Sequence, residues 1–471
     1  MKFRGALVAI LILAGLVAYL FLVEFPGQKA KKEREKEEKS VFSLVRDDVA
    51  RVALKRLEGE SLEFERLDAE APEARDKLWE WRLKNPLETY ADKVRVEDLL
   101  RELEDLRKQH DLESVDFAQF GLANPEVRVE IEMRDGRSLG LSVGADAPVE
   151  AAAYARADHQ GGVFLIDRSV KESLLKDTFH FRDRRAVNFD AMHLLRMAVR
   201  RPEESLALEK RDNAWRLVEP QASPAEKEAV DDFLYALEHM SASSVVSEHA
   251  AGTERRAHGL GAPYLDVELV EKRGEGERTT DVLFGKEDDK LYALRDWDQA
   301  LLEIESPSWE KLDVSFDALR RKRLFTLPKW EVSRVEVKNP EGSYVLAKED
   351  WTWRVLEPEG EKDPDRMQAD DVISTITHLR ASGFSPVPED EAPLGLDEPF
   401  LQLRAGSDER SESASFGRGP EDGRVYARVE GWDDTLLVVE ESSLEILLKP
   451  YAYLLEPTPE HEKLSEELMK H

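Results

Sequence analysis

The sequence predicts an α+β protein in which an N-terminal transmembrane helix precedes three tandem α+β repeats with antiparallel sheets. Three observations predict it. A tryptophan motif recurs three times at even spacing, a helical apolar stripe follows each copy, and period-two alternation surrounds both. A long uncharged run near the N-terminus supplies the membrane segment.

The motif is Trp81-Arg82-Leu83-Lys84-Asn85-Pro86. It returns as Trp215-Arg216-Leu217-Val218-Glu219-Pro220 and as Trp353-Arg354-Val355-Leu356-Glu357-Pro358. With 9 Trp, 22 Pro and 68 Lys plus Arg in 471 residues, chance supplies only about 0.06 copies of Trp-Arg-x-x-x-Pro, so a fixed period is a repeat. Gly121-Leu122-x-x-Pro125, Gly259-Leu260-x-x-Pro263 and Gly395-Leu396-x-x-Pro399 follow the tryptophans by 40, 44 and 42 residues. Strand-like runs ending at Gly144, Gly285 and Gly417 come next, then Tyr154-Ala155, Tyr292-Ala293 and Tyr426-Ala427.

Between each Trp and Gly lies a predicted helix. Its stripe is Val96, Leu99, Leu100, Leu103 and Leu106 in the first copy. The second copy has Val230, Phe233, Leu234, Leu237 and Met240, and the third Ala369, Val372, Ile373, Ile376 and Leu379. Offsets of 0, 3, 4, 7 and 10 place all five on one helical face. Ser223-Pro224-Ala225-Glu226 reads as an N-cap, a first-turn proline and a capping-box acid. Alternation such as Val127-Arg128-Val129-Glu130-Ile131-Glu132 predicts half-buried antiparallel strands. Each unit therefore reads as two or three strands, a helix, four strands and a short closing helix. The closing helices are predicted at Ser169–Leu175, Pro307–Leu312 and Ser442–Leu448.

Gly5 to Val23 is an uncharged run of 19 residues, reaching roughly 28 Å as a helix, near the thickness of a bilayer core. It reads as an uncleaved anchor, the alternatives being a cleaved signal or a buried core helix. Lys2 and Arg4 precede it, and Lys29, Lys31, Lys32, Arg34, Lys36 and Lys39 follow it. The Lys/Arg count favours a cytoplasmic soluble part, but long following domains translocate largely regardless of charge. The expectation is a single-pass protein of the inner (cytoplasmic) membrane with its soluble part periplasmic or otherwise extracytoplasmic. The partition is a tail 1–4, an anchor 5–23, a charged helical stalk 24–44, repeats 45–186, 187–325 and 326–456, and an acidic tail 457–471.

Formal net charge is −31, which repels nucleic-acid phosphates, so no nucleic-acid partner is expected. The chain has no Cys, which excludes thiolate nucleophiles, disulfides, Fe–S clusters and Cys-zinc sites. The acidic pairs Glu97-Asp98, Asp231-Asp232 and Asp370-Asp371 suit acid/base or metal chemistry in type. At a helix start they read instead as solvent-facing charge that complements the helix dipole. The tryptophans are conceivable stacking platforms but fit inward strand positions better. The histidines, His249 and His258 among them, form no metal-binding spacing, and no nucleophile elbow or phosphate loop appears. No catalytic, cofactor or metal residue is predicted.

Trp-x-(Leu or Val)-x-x-Pro, the amphipathic helix, Phe120-Gly121-Leu122-x-x-Pro125 and the Gly-then-Tyr strands together resemble the bacterial family called domain of unknown function 4340. The resemblance covers most of residues 45–456. His258 and Leu394 stand where the first copy has Phe120. The resemblance implies an N-terminally anchored envelope protein associated with ABC-type transport systems of the gliding-motility kind, with no catalytic residues to carry over. The leading expectation is a non-catalytic protein presenting tandem modules to envelope or transporter proteins. The alternatives are a carboxylate-dependent envelope glycan hydrolase and a small-molecule binding module between repeats.

Overall fold

The computed structural model describes residues 39–456, apart from 69, 72–78, 113–115, 149–150, 306–308, 360–361, 408, 420–423 and 433. The predicted tail 1–4, anchor 5–23, the stalk up to residue 38 and the acidic tail 457–471 lie outside the described residues. Among the described residues no helix is long and apolar enough to cross a membrane.

The first repeat has β1 (Val49–Arg56), β2 (Leu62–Arg66), β3 (Trp81–Asn85), β4 (Thr89–Tyr90), helix α1 (Lys93–Glu104), β5 (His110–Leu112), β6 (Val127–Met133), β7 (Ser138–Asp146), β8 (Ala152–Ala157) and β9 (Val163–Asp167). The second has β10 (Leu194–Arg200), β11 (Ser205–Arg211), β12 (Ala214–Glu219), β13 (Ser223–Pro224), α2 (Lys227–Glu238), β14 (Ala242–Ser247), β15 (Leu265–Arg273), β16 (Gly276–Glu287), β17 (Lys290–Arg295) and β18 (Leu301–Ile304). The third has β19 (Arg334–Asn339), β20 (Gly342–Glu349), β21 (Thr352–Glu357), α3 (Arg366–His378), β22 (Gly383–Pro386), β23 (Leu401–Gly406), β24 (Ser411–Arg418), β25 (Val425–Val429) and β26 (Thr435–Val439).

The chain divides into two units. One comprises Met1–Phe189, Met240–Gly261 and Lys286–Glu305, and the other Asp190–His239, Ala262–Gly285 and Ser306–His471, so the second repeat contributes to both. In the first unit an antiparallel sheet runs β4-β3-β2-β1-β6-β7-β8-β9-β5. The first unit also holds strands in the order β17-β18-β14, which form no part of that sheet and reproduce its β8-β9-β5 end. The second unit holds β13-β12-β11-β10-β15-β16, which reproduces the opposite end. It also holds the third sheet, β21-β20-β19-β23-β24-β25-β26-β22. The same connectivity thus appears three times.

Local detail repeats as well. The pairs β2·β3, β11·β12 and β20·β21 each carry a register shift, at Glu63/Phe64, Ala207/Leu208 and Val345/Leu346. The peptide bonds Asn85-Pro86, Glu219-Pro220 and Glu357-Pro358 are all cis. Trp81, Trp215 and Trp353 are buried, as their alternation with Leu83, Leu217 and Val355 predicts. The helical stripes are buried in every copy. Asp92 caps α1, accepting hydrogen bonds from the Val94 and Arg95 amides, and Asp365 caps α3 through Met367 and Gln368. The glycine-terminated strands answer a packing demand. A Cβ on Gly144 would stand 2.3 Å from the Phe120 carbonyl, and the Phe120 ring lies 4.5 Å from the Tyr154 ring. In the second repeat His258 takes the Phe120 role against Tyr292, at 4.4 Å.

Four expectations need correction. Each repeat has more strands than predicted: β4, β5, β13 and β22 span only two to four residues, too few to show alternation, and the Ala-Ser-Ser-Val-Val-Ser run of β14 does not alternate. The last stripe residues, Leu106, Met240 and Leu379, are buried but lie beyond the helix ends, where the chain turns into its next extended segment. Glu226 is the N-cap residue of α2, with no side-chain cap bond, while Ser223 and Pro224 form β13. Of the closing helices, the first runs Arg168–Leu174 as α-helix, whereas Trp309–Leu312 and Glu441–Leu448 are 3-10 turns.

Candidate functional site

The first two repeats each end in a basic connector, Arg182-Asp183-Arg184-Arg185 after the first and Arg320-Arg321-Lys322-Arg323 after the second. In the first unit, Ala91 bridges Arg182 and Ser241 bridges Arg185, so this connector pairs on both sides. The Asp183 amide donates to the Tyr90 carbonyl at 2.9 Å, and the Ala242 amide to the Arg184 carbonyl at 2.8 Å. In the second unit the Ala225–Arg320 and Arg323–Arg380 bridges repeat the arrangement. Their side chains are satisfied differently. Arg182 is buried and bidentate to Glu248, at 2.7 and 3.0 Å. Arg320 donates to the Thr435 hydroxyl at 2.8 Å and lies 3.9 Å over the Phe384 ring.

The first connector borders a cavity of about 810 Å³ within the first unit. Its wall begins with Trp79, buried and stacked on Tyr90 at 4.0 Å, with Trp297 tilted 5.5 Å away. The Trp79 indole N–H donates to Asp183 Oδ2 at 2.8 Å. Asp183 is buried. Burial pushes its carboxyl up, but hydrogen bonds and charge from Arg185 outweigh this and hold it below the usual carboxylate range. Beneath the connector lies Arg295, fully buried, donating to the Asp183 carbonyl at 2.7 Å, to the Arg185 carbonyl at 3.3 Å and to Asp298 at 3.0 Å.

Asp183 makes stability pH-dependent in a definite direction. Its folded value lies below the unfolded one, so the contribution is present above the unfolded value, about pH 4, and is lost as pH falls through the folded value. Asp183→Asn is expected to flatten the fall in urea-unfolding stability between about pH 5 and 3. A variant that retains the full acid slope refutes the assignment.

On the far wall, Arg66 lies 4.3 Å over the Trp81 ring and pairs with Glu80 and with Glu97 at 2.9 Å, while Trp81 Nε1 donates to Glu97 at 3.1 Å. This corrects the reading of the acidic pairs. Glu97 is half-buried and faces the core tryptophan. Asp98 binds Arg101 at 2.6 Å, and Asp370 binds Lys329 at 2.7 Å.

The remaining sequence candidates are not brought together. The His249 ring donates through Nδ1 to the Asp298 main-chain carbonyl at 3.1 Å. His258 pairs with Glu287 at 3.0 Å. Among the described residues no cluster of three His, Asp or Glu side chains could hold a metal ion. Among the described residues, Glu226 and Glu228 form a carboxylate pair that shares a hydrogen bond. Burial, then the Glu228 hydrogen bond, pushes Glu226 up, while its hydrogen bond pulls exposed Glu228 down. Glu226 already accepts from the Lys322 amide and from Arg380, both at 2.9 Å.

Sequence reading passed over both connectors and Trp297, and took Trp79 only as part of the inward-facing alternation around Trp81. A signal was present, since the two basic runs stand 138 residues apart in a strongly acidic chain and match the repeat period.

Three copies of one antiparallel-sheet-and-helix unit, linked by paired basic connectors, define a tandem-repeat α+β protein. The family model described as Domain of unknown function (DUF4340) matches residues 81–216 and 215–399, and the chain belongs to that family. Both matches open on the Trp-Arg of a repeat. No curated protein matches the chain. Among solved structures it is similar to a DNA polymerase sliding clamp from Pseudomonas aeruginosa, crystallised with ligand, at 8% identity and a TM-score of 0.15 over 85% of this chain and 93% of that one. A likeness that slight transfers neither fold nor function.

Proposed function

We propose that this protein is a non-catalytic, membrane-anchored envelope protein whose repeats present side chains to a protein partner, as an accessory of an ABC-type transport or gliding-motility assembly. The observation that carries the partner reading is a set of large side chains left in water at repeat-defined places. Met192 and Trp330 each stand seven residues past their connector and are 85% and 79% exposed. Trp351 is 86% exposed at a hairpin turn with φ +66°, a backbone region bulky residues rarely adopt. Asn213 holds the equivalent turn position in the second repeat, at φ +64°. Exposed tryptophans on an otherwise charged surface are the side chains that anchor protein interfaces. Repetition supports the reading, because each module offers a similar face.

The test is affinity capture from detergent-solubilised membranes, comparing wild type with the Trp330→Ala/Trp351→Ala variant. Recovery of an envelope transport or motility component, lost in the variant, is the expected result. Equal recovery by both proteins, or no envelope partner at all, overturns the reading. Protease accessibility of the C-terminal region in intact and lysed cells tests the extracytoplasmic placement.

A further inference from the structure

We infer that the cavity beside the first connector is a binding site for a small anion carrying two phosphate or carboxylate groups. The inference stands apart from the partner reading, since it rests on the first unit alone. Its lining holds five cationic side chains against three carboxylates in a chain whose net charge is −31. All three carboxylates have partners of their own. Glu80 binds Arg66 and, at 2.5 Å, Lys93. Asp92 caps α1, and Asp183 is held by Arg185 and Trp79.

That accounting leaves Arg134 and Arg184. Among the described residues, neither has a carboxylate within ion-pair distance. Both are carried on fixed backbone. The Arg134 amide donates to the Asp48 carbonyl at 2.8 Å, and the Arg184 carbonyl accepts from Ala242. The Arg184 guanidinium rests 5.3 Å from the Phe179 ring. Guanidinium groups match phosphate and carboxylate oxygens in pairs, and a surplus of positive charge within a concave wall concentrates anions. The first turn of α1, at Lys93 and Val94, borders the same space and adds the positive end of its dipole. A cavity of about 810 Å³ falls in the size range of small-molecule sites, roughly 300–1,000 Å³.

The experiment is calorimetric titration of the full-length protein with inorganic pyrophosphate and, separately, with citrate, at low and high salt. The expected result is a dissociation constant below about 1 mM for at least one of them, weakening with salt. The comparison of the two anions tells phosphate from carboxylate chemistry. Arg134→Gln and Arg134→Gln/Arg184→Gln are expected to weaken binding, the double variant at least tenfold, while Lys338→Gln, an exposed cation in the other unit, leaves it unchanged. Arg134 is exposed, so its single variant keeps the test decisive if the double variant misfolds. No binding tighter than about 1 mM by either anion, unchanged binding in the arginine variants, or equal weakening by Lys338→Gln overturns the inference.

Discussion

Trp81→Ala is expected to destabilise the first unit by about 3–5 kcal/mol, the largest effect of any single tryptophan truncation here. Trp81 is fully buried among Phe64, Leu83 and the α1 stripe, so truncation opens a cavity in close-packed surroundings. It also removes the donor to Glu97 and the ring beneath Arg66. Arg66 stays tied to the Val49 and Arg46 carbonyls, each at 3.0 Å, and so cannot follow Glu97 into water without breaking main-chain contacts. Trp81→Phe separates the two contributions. It keeps most of the apolar volume and loses the indole N–H, at an expected cost of about 1–3 kcal/mol. Urea unfolding of both variants checks the pair. A Trp81→Ala loss under about 1 kcal/mol would show that the ring is not part of the core.

Arg295→Met should cost a similar amount, about 3–5 kcal/mol, for an electrostatic reason. The substitution keeps much of the side-chain length but strands Asp298, which is mostly shielded from solvent, and frees the carbonyls of Asp183 and Arg185. Replacing both partners, as Arg295→Met/Asp298→Leu, is expected to recover much of that loss, because an unpaired buried charge is worse than none. Urea midpoints give the energies. Amide exchange along residues 183–186 gives the location, since the connector is what Arg295 holds. If exchange there is unchanged in Arg295→Met, the connector is fixed by its strand pairing alone and the role assigned to Arg295 fails.

Much of the fold was legible because its determinants are local. The offsets in Val96, Leu99, Leu100 and Leu103 describe one helical face whatever lies opposite, and the alternation around Trp81 describes one strand face. Short elements were not legible, since two or three residues carry no period. The acidic pairs misled for a different reason. Position on a helix puts Glu97 beside the apolar stripe at Val96, but it does not show that Arg66, 31 residues earlier, and Trp81 would meet it there. The candidate site was almost wholly hidden, as its walls come from β2, the segment before β3, the start of α1, the turn after β6 and the connector.

By itself, then, the sequence determined the triplicate architecture, the long strands and the helix within each copy, and the apolar stripes that form the cores. Those follow from burial periodicity, which is written residue by residue. Tertiary structure alone decided which charges neutralise one another and which cations remain. That outcome depends on groups such as Thr89 and Asp298, 209 positions apart and hydrogen-bonded at 3.2 Å, and electrostatic pairing is set by distance in space.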